Sequence, residues 1–154
     1  MKNKQQNSGV IANKRARYDY ELKDSYIAGI ALNGAETRSL REKHGSLQGA
    51  FVQMKDGEAW LMNSLVTPLK TNAVHLPSDI QIRNRKLLLK KRELDQLQEA
   101  KQQGNTIVPI KFLIKGRFIK LEIAIGRGKR KYDKRETIKH RDTERDIKRS
   151  LKSS

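Results

Sequence analysis

The sequence contains no cysteine, which excludes disulfide frameworks and thiolate zinc sites and suits a reducing cytosol. Its three histidines, His44, His75 and His140, fall in separate segments, and no pair has the i, i+4 spacing of a helical metal site. Aromatics are scarce, with three Phe, one Trp and four Tyr. Binders of single-stranded nucleic acid depend on exposed rings as stacking platforms, so the scarcity argues against that class. No apolar run approaches the roughly 20 residues that cross a bilayer, and the opening MKNKQQNSGV lacks the apolar core of a signal peptide. Gly126-Arg127-Gly128 does not lead into the Lys-Ser/Thr of a phosphate-cradling loop. Glu36, Glu42, Asp56 and Glu58 read as dispersed surface acids rather than a catalytic pair. The expectation is a cytoplasmic protein without membrane attachment, cofactor or active site.

What the sequence has in excess is positive charge. Lys and Arg number 34 against 17 Asp and Glu, a formal net charge of +17 over 154 residues. Such an excess repels itself on a folded surface unless the partner is a polyanion whose counterions are released on binding. The basic residues are spread through strand-like and helix-like segments alike, and no lipidation signal accompanies them, so RNA fits better than a membrane surface. Many cations with few rings favour recognition of a folded RNA by shape and phosphate.

The length suits one domain plus a tail. Residues 1–12 are small and polar enough to read as a flexible lead-in. Tyr18, Tyr20 and Leu22 alternate with charged or polar neighbours, as in a half-buried strand, and Tyr26 to Leu32 forms a second strand. A short helix is predicted over Glu36 to Lys43, capped by Gly45. Leu47 to Met54 and Glu58 to Val66 flank the hairpin dipeptide Asp56-Gly57. Residues 67–84 read as a long loop. A helix is predicted from Lys86 to about Gln103, then strands Thr106 to Ile114 and Arg117 to Ile125 joined at Lys115-Gly116. Six short strands with two helices at the crossings predict a mostly β protein, a small antiparallel OB-like barrel over residues 13–126 with peripheral helices. A sandwich is the competing arrangement.

Two segments carry the binding argument. On a helix from Lys86, Leu87, Leu89, Leu94, Leu97 and Ala100 share one broad face, and Leu88 falls on the other among Lys91, Arg92, Asp95 and Glu99. Leu88 is therefore a candidate apolar contact on a basic RNA-facing surface. Residues 127–154 hold twelve Lys or Arg against five Asp or Glu, a net of +7, with only Ile138, Ile147 and Leu151 as strong apolars. That is too little to offset an ordering entropy of about 1–2 kcal/mol per residue, so this basic tail is expected to be disordered in isolation. Wound as a helix, it would align Lys134, Arg141, Arg145, Lys148 and Lys152 in one stripe.

Asn13-Lys14-Arg15-Ala16-Arg17 with Tyr20, Ala28-Gly29-Ile30, and Gly34 to Arg41 resemble the opening of the SmpB family, the tmRNA-binding proteins of bacteria. Asp56-Gly57-Glu58, Arg85 to Leu89 and Lys91-Arg92-Glu93-Leu94 resemble its middle, and Gly128-Lys129-Arg130, Asp133-Lys134-Arg135 and Ile138-Lys139 with Arg141 its end. The resemblance runs collinearly from about Asn13 to Lys148. It implies an OB-like barrel and a role in trans-translation: binding the tRNA-like domain of tmRNA and bringing it, aminoacylated and with GTP-bound elongation factor Tu, to ribosomes stalled on messages without a stop codon. A monomer is implied, standing in for the missing anticodon stem with its tail in the empty mRNA channel. By matching position, Asn13, Lys14, Arg15, Leu88 and Lys120 are implied tmRNA contacts. Tyr132 matches a ring that meets the decoding centre, and Lys129, Arg130, Lys134, Arg135, Lys139, Arg141, Arg145 and Lys148 belong to a ribosome-binding tail. Three departures stand out: Ile27 where the family commonly has an acidic residue implicated in tmRNA binding, Ala35 and Thr37 at positions expected to affect packing only, and a 78–84 loop without the usual Pro-Arg pattern. The alternatives are a ribosomal or ribosome-assembly protein with an OB-like core, and an RNA-processing nuclease, which needs a carboxylate or histidine cluster that is not visible here.

If phosphate contacts dominate, binding to the tRNA-like domain must weaken steeply with salt. About six neutralised phosphates give a log–log slope of about −4 to −5. A titration that shows a flat response removes the electrostatic account of the charge.

Overall fold

The computed structural model describes residues 9–129. In chain order the elements are β1 (Gly9–Ala12), α1 (Ala16–Asp19), β2 (Tyr20–Ile30), α2 (Gly34–Arg41), β3 (Gly45–Ser46), β4 (Phe51–Lys55), β5 (Glu58–Met62), β6 (Leu65–Val66), α3 (Ser78–Gln81), β7 (Arg85–Leu88), α4 (Lys91–Gln102), β8 (Thr106–Ile114) and β9 (Ile119–Gly128). Seven strands form one antiparallel sheet in the order β1-β8-β9-β2-β7-β5-β4, and β3 pairs with β6 alone. The sheet curls until β4 lies against β8 without a hydrogen-bonded ladder between them. The mostly β, antiparallel, OB-like expectation therefore holds, with a sheet that is curled but not closed.

Alternation places one side of each strand inside the curl. Ala28, Leu61, Leu87, Phe112, Leu121 and Ile123 are buried there, and Leu97 and Ala100 bring α4 against the same core. Asp56 and Gly57 both have positive φ, 53° and 76°, the backbone of a two-residue hairpin whose twist matches its strands. They join β4 to β5 in the register Lys55↔Glu58.

Several boundaries differ from the sequence reading, each because a distant strand claims the segment. Residues 9–12 are not lead-in: β1 pairs with β8 in the register Gly9↔Ile114 to Ala12↔Lys111, and Ile11 packs against the core. The two strands expected before Leu32 are one strand, bent by a bulge between Leu22 and Ser25, and Tyr18 lies in α1. Lys43, at φ 62°, makes the left-handed turn after α2. Gly45 belongs to β3, where an added Cβ would lie 2.6 Å from the buried Leu40 Cδ2. The loop 67–84 holds a 3-10 turn, Ala73–His75, as well as α3. The strand β9 continues to Gly128, two residues beyond the boundary expected at 126.

The largest correction is the helix expected from Lys86. Residues Arg85–Leu88 form β7, held between β2 and β5, and the helix begins at Lys91. Four residues of alternating inward and outward character fit either period, and pairing on both sides decides for strand. The Lys90 N–H donates to Glu93 Oε1 at 3.0 Å, which fixes the helix start on the far side of Leu89.

Glu36 was expected at the surface and is fully buried. It starts its work locally: Asn33 Oδ1 accepts the Glu36 N–H at 2.7 Å, and Glu36 Oε1 accepts the Asn33 N–H at 2.9 Å, a capping box that opens α2. The same carboxylate accepts from Arg83 and, through Oε2, from Arg85 Nε at 2.6 Å. Arg85, also fully buried, donates on to Ser64 O and Oγ at 2.9 and 2.8 Å and to Ile80 O and Gln81 O at 2.9 and 3.1 Å. Among the described residues no buried side-chain N or O lacks a partner.

Burial alone pushes the Glu36 carboxyl up, but hydrogen bonds from Arg83 and the Asn33 backbone and the charge of Arg85 outweigh it, and the net shift is below the ordinary 4.5. A depressed native pKa stabilises the fold above the unfolded value and ceases to do so as pH falls through the native one. Glu36→Gln should cost about 3–5 kcal/mol near neutrality, as removal of one member of a buried pair does. The gap between variant and parent should narrow as the pH of denaturant titrations drops below the ordinary 4.5. A constant gap across that range contradicts the assignment.

Candidate nucleic-acid interface

Strand pairing brings distant residues into rows on the outward side of the sheet. Leu88 on β7 is opposite Gly29 on β2, Gly29 is opposite Lys120 on β9, Lys120 is opposite Leu113 on β8, and Leu113 is opposite Val10 on β1. One row thus crosses five strands and holds two of the five residues singled out as RNA contacts. Leu88 is 54 % exposed and Lys120 is exposed. Leu88 reaches this surface by strand alternation, its neighbour Leu87 being buried, and not by the helical phase expected for it. Gly29 has no side chain to separate them: a Cβ there would lie 3.2 Å from Leu88 Cβ.

The next row runs Ile27, Glu122, Lys111, Ala12. Lys111 Nζ lies 3.5 Å from Glu122 Oε2, so one acid on this face is already matched. Ile27 is 47 % exposed and sits opposite Glu122. Among the described residues Lys120 has no ion-pair partner, its cross-strand neighbours being Gly29 and Leu113.

Asn13, Lys14 and Arg15 follow β1 and form a second group. The β8–β9 ladder shifts register between Pro109 and Lys111, which frees carbonyls at the irregularity. The Asn13 N–H donates to Ile110 O at 2.7 Å, and its side-chain amide to Pro109 O at 2.9 Å. Asn13 therefore has a job within the fold, anchoring the chain so that exposed Lys14 and Arg15 project beside it. Arg15 donates to both Asp19 oxygens at 3.3 Å and lies over the Tyr18 ring, 5.0 Å from its centroid. These three residues line a recess of ≈ 520 Å³ with Lys43 and Gln48. Leu88 and Lys120 line a different groove of ≈ 580 Å³, floored by Gly29 and rimmed by Asn33, Arg117 and Phe118. The five predicted contacts thus form two clusters.

Lys129 is the one residue of the expected ribosome-binding set among those described. Its N–H donates to Asp19 O at 2.9 Å, and Gly128 pairs with Tyr20, so the tail departs from beside α1. Arg130, Tyr132, Lys134, Arg135, Lys139, Arg141, Arg145 and Lys148 lie outside the described residues. Among the described residues no group of three or more His, Asp or Glu side chains is placed to hold a metal, and no helix is long and apolar enough to cross a membrane.

The sequence reading missed Arg117 and Phe118. The Lys115-Gly116 turn, with Gly116 at φ 76°, puts both at a hairpin tip, and that turn was the available signal. It also missed Arg41, whose guanidinium donates to Gly116 O at 3.2 Å and Arg117 O at 2.7 Å.

The strand phase of β7 has a direct test. Leu88→Asp should cost about 1 kcal/mol or less, while Leu87→Asp should abolish folding by burying an unpaired charge. Circular dichroism melts of both variants check this alternation: a folded Leu87→Asp, or an unfolded Leu88→Asp, contradicts the inward place of Leu87 and the outward place of Leu88.

Comparison with known proteins places the chain in a family. The SmpB protein family model matches residues 10–153. The chain is 44 % identical over 99 % of its length, and 96 % of the relative's, to the SsrA-binding protein of Pseudomonas entomophila strain L48. It is 45 % identical over 97 % of its length, and 96 % of the relative's, to that of Streptococcus mutans serotype c. A chain in the solved structure described as "tmRNA-SmpB: a journey to the center of the bacterial ribosome" superposes with a TM-score of 0.65 at 38 % identity, covering 84 % of this chain and 94 % of its own. A family match across residues 10–153, with relatives 44–45 % identical over nearly their whole length, makes this chain a member of the SmpB family.

Proposed function

We propose that this protein binds the tRNA-like domain of tmRNA and brings it to stalled ribosomes for trans-translation. The observation that carries the reading is the family match over residues 10–153, whose relatives are named for binding SsrA, the tmRNA itself. Physical support comes from the +17 charge and from an outward face on which Lys120 and Leu88 meet across a side-chain-free Gly29. A lysine without a carboxylate partner offers a phosphate a charge-assisted bond. An adjacent apolar side chain suits the flat surface of an exposed base or sugar.

In this reading the protein acts as a monomer in the cytoplasm, with aminoacylated tmRNA and elongation factor Tu in the same complex. Asn13, Lys14, Arg15, Leu88 and Lys120 contact tmRNA. Residues 130–154, beyond the end of β9, enter the empty mRNA channel, with Tyr132 at the decoding centre, and become helical against rRNA phosphates. A segment with so few apolar pairs nucleates a helix poorly in water, so the phosphates must supply the order.

Peptide tagging on a message without a stop codon tests the whole chain of events. Changing Lys134 and Arg141 to Glu should reduce tagging more than changing Lys131 and Arg149, at the same total charge change, while tmRNA still co-purifies with both variants. Equal losses mean that only net charge matters and end the helical stripe. Failure of tmRNA to co-purify with the unaltered protein ends the reading itself.

A further inference from the structure

The hairpin between β8 and β9 carries a ring that the fold leaves in water. Phe118 is 71 % exposed, and the strand pair Ile114↔Ile119 closes directly behind it. A single exposed apolar residue is ordinary, but three observations set this one apart. The tip is not loose: the two hydrogen bonds from Arg41 to the Gly116 and Arg117 carbonyls fasten it to α2, so the backbone that carries the ring is held in place. The ring borders the groove of Gly29, Leu88 and Lys120, and among the described residues no carboxylate lines that groove. The cations beside it are Lys120 and Arg117, the latter with its guanidinium 6.0 Å from the ring centroid.

A flat apolar slot with a cationic rim and no acid matches one chemical unit, a nucleobase turned out of its stack with its phosphates on the rim. We infer that Phe118 is a stacking platform for one unstacked base of the bound RNA, with Gly29 keeping the slot open and Lys120 and Arg117 taking the flanking phosphates. Every base has a π-face, so the platform adds affinity without demanding a sequence. Phe51, also exposed, lies on the edge strand β4 and does not border this groove. The inference rests on the RNA-binding reading above.

The test measures affinity of the full-length protein for a transcript of the tRNA-like domain at fixed salt. Phe118→Ala should weaken binding roughly 5- to 150-fold, the span of losing one base–aromatic stack. Phe118→Leu should be nearly as weak, because apolarity without a flat ring does not stack, and Phe118→Trp should bind like the parent. Thermal unfolding should be unchanged in all three, as the ring is outside the core. Affinity within twofold of the parent for Phe118→Ala, or full affinity for Phe118→Leu, overturns the platform. Lys120→Ala measured alongside separates the two levels. A loss there with Phe118→Ala unaffected removes the stack alone, and no loss in either variant removes the RNA reading of this face as well.

Discussion

The buried pair of Glu36 and Arg85 is the constraint on which the outer surface depends. One carboxylate caps α2 through Asn33 and receives the guanidinium of β7, while the rest of that guanidinium holds Ser64 and the carbonyls of α3. Ions taken out of water are costly unless every donor and acceptor is matched, and here the matching partners come from four separate segments. The arrangement specifies relative position more than it adds net stability. Arg85 inward means Leu87 inward and Leu88 outward, and the outward row exists in that register only.

The position of α2 has a second consequence. Its last residue, Arg41, reaches the β8–β9 turn, so the cap at one end of the helix and the clamp at the other tie the core ion pair to the hairpin tip. Asn72 reinforces the helix from outside by donating to Ala35 O at 3.1 Å and Ser39 Oγ at 3.0 Å. A surface that must recognise a folded RNA by shape gains from such rigidity, because less side-chain and loop freedom is lost on binding.

The face itself is economical in its use of charge. Lys111 and Glu122 neutralise one another across the strands, and Arg15 is tied to Asp19, whereas Lys120 and Lys14 have no such partner among the described residues. The net charge of +17 therefore sets the long-range attraction, and the small number of unmatched cations near Gly29 and Asn13 sets where a phosphate is best received. Lys129, fastened to Asp19, starts the basic tail close to the second of these places.

By itself the sequence determined the class of partner, through its charge, its lack of cysteine and its few rings. It determined the hairpin at Asp56-Gly57, where local φ preferences suffice, and the family, through collinear motifs. It could not place Arg85 to Leu88, whose four residues satisfy a strand or a helix equally until β2 and β5 claim their backbone groups. Nor could it bury Glu36, since a carboxylate reads as a surface group unless two guanidinium groups 47 and 49 residues away are known to reach it. Leu88 was found for the wrong periodicity, and Phe118 was overlooked: the Lys115-Gly116 turn puts it at a hairpin tip, but only the pairing of β9 with β2 decides that it borders the groove of Leu88 and Lys120. Local chemistry is written residue by residue, but a surface assembled from five strands comes into being only when long-range pairing sets their register.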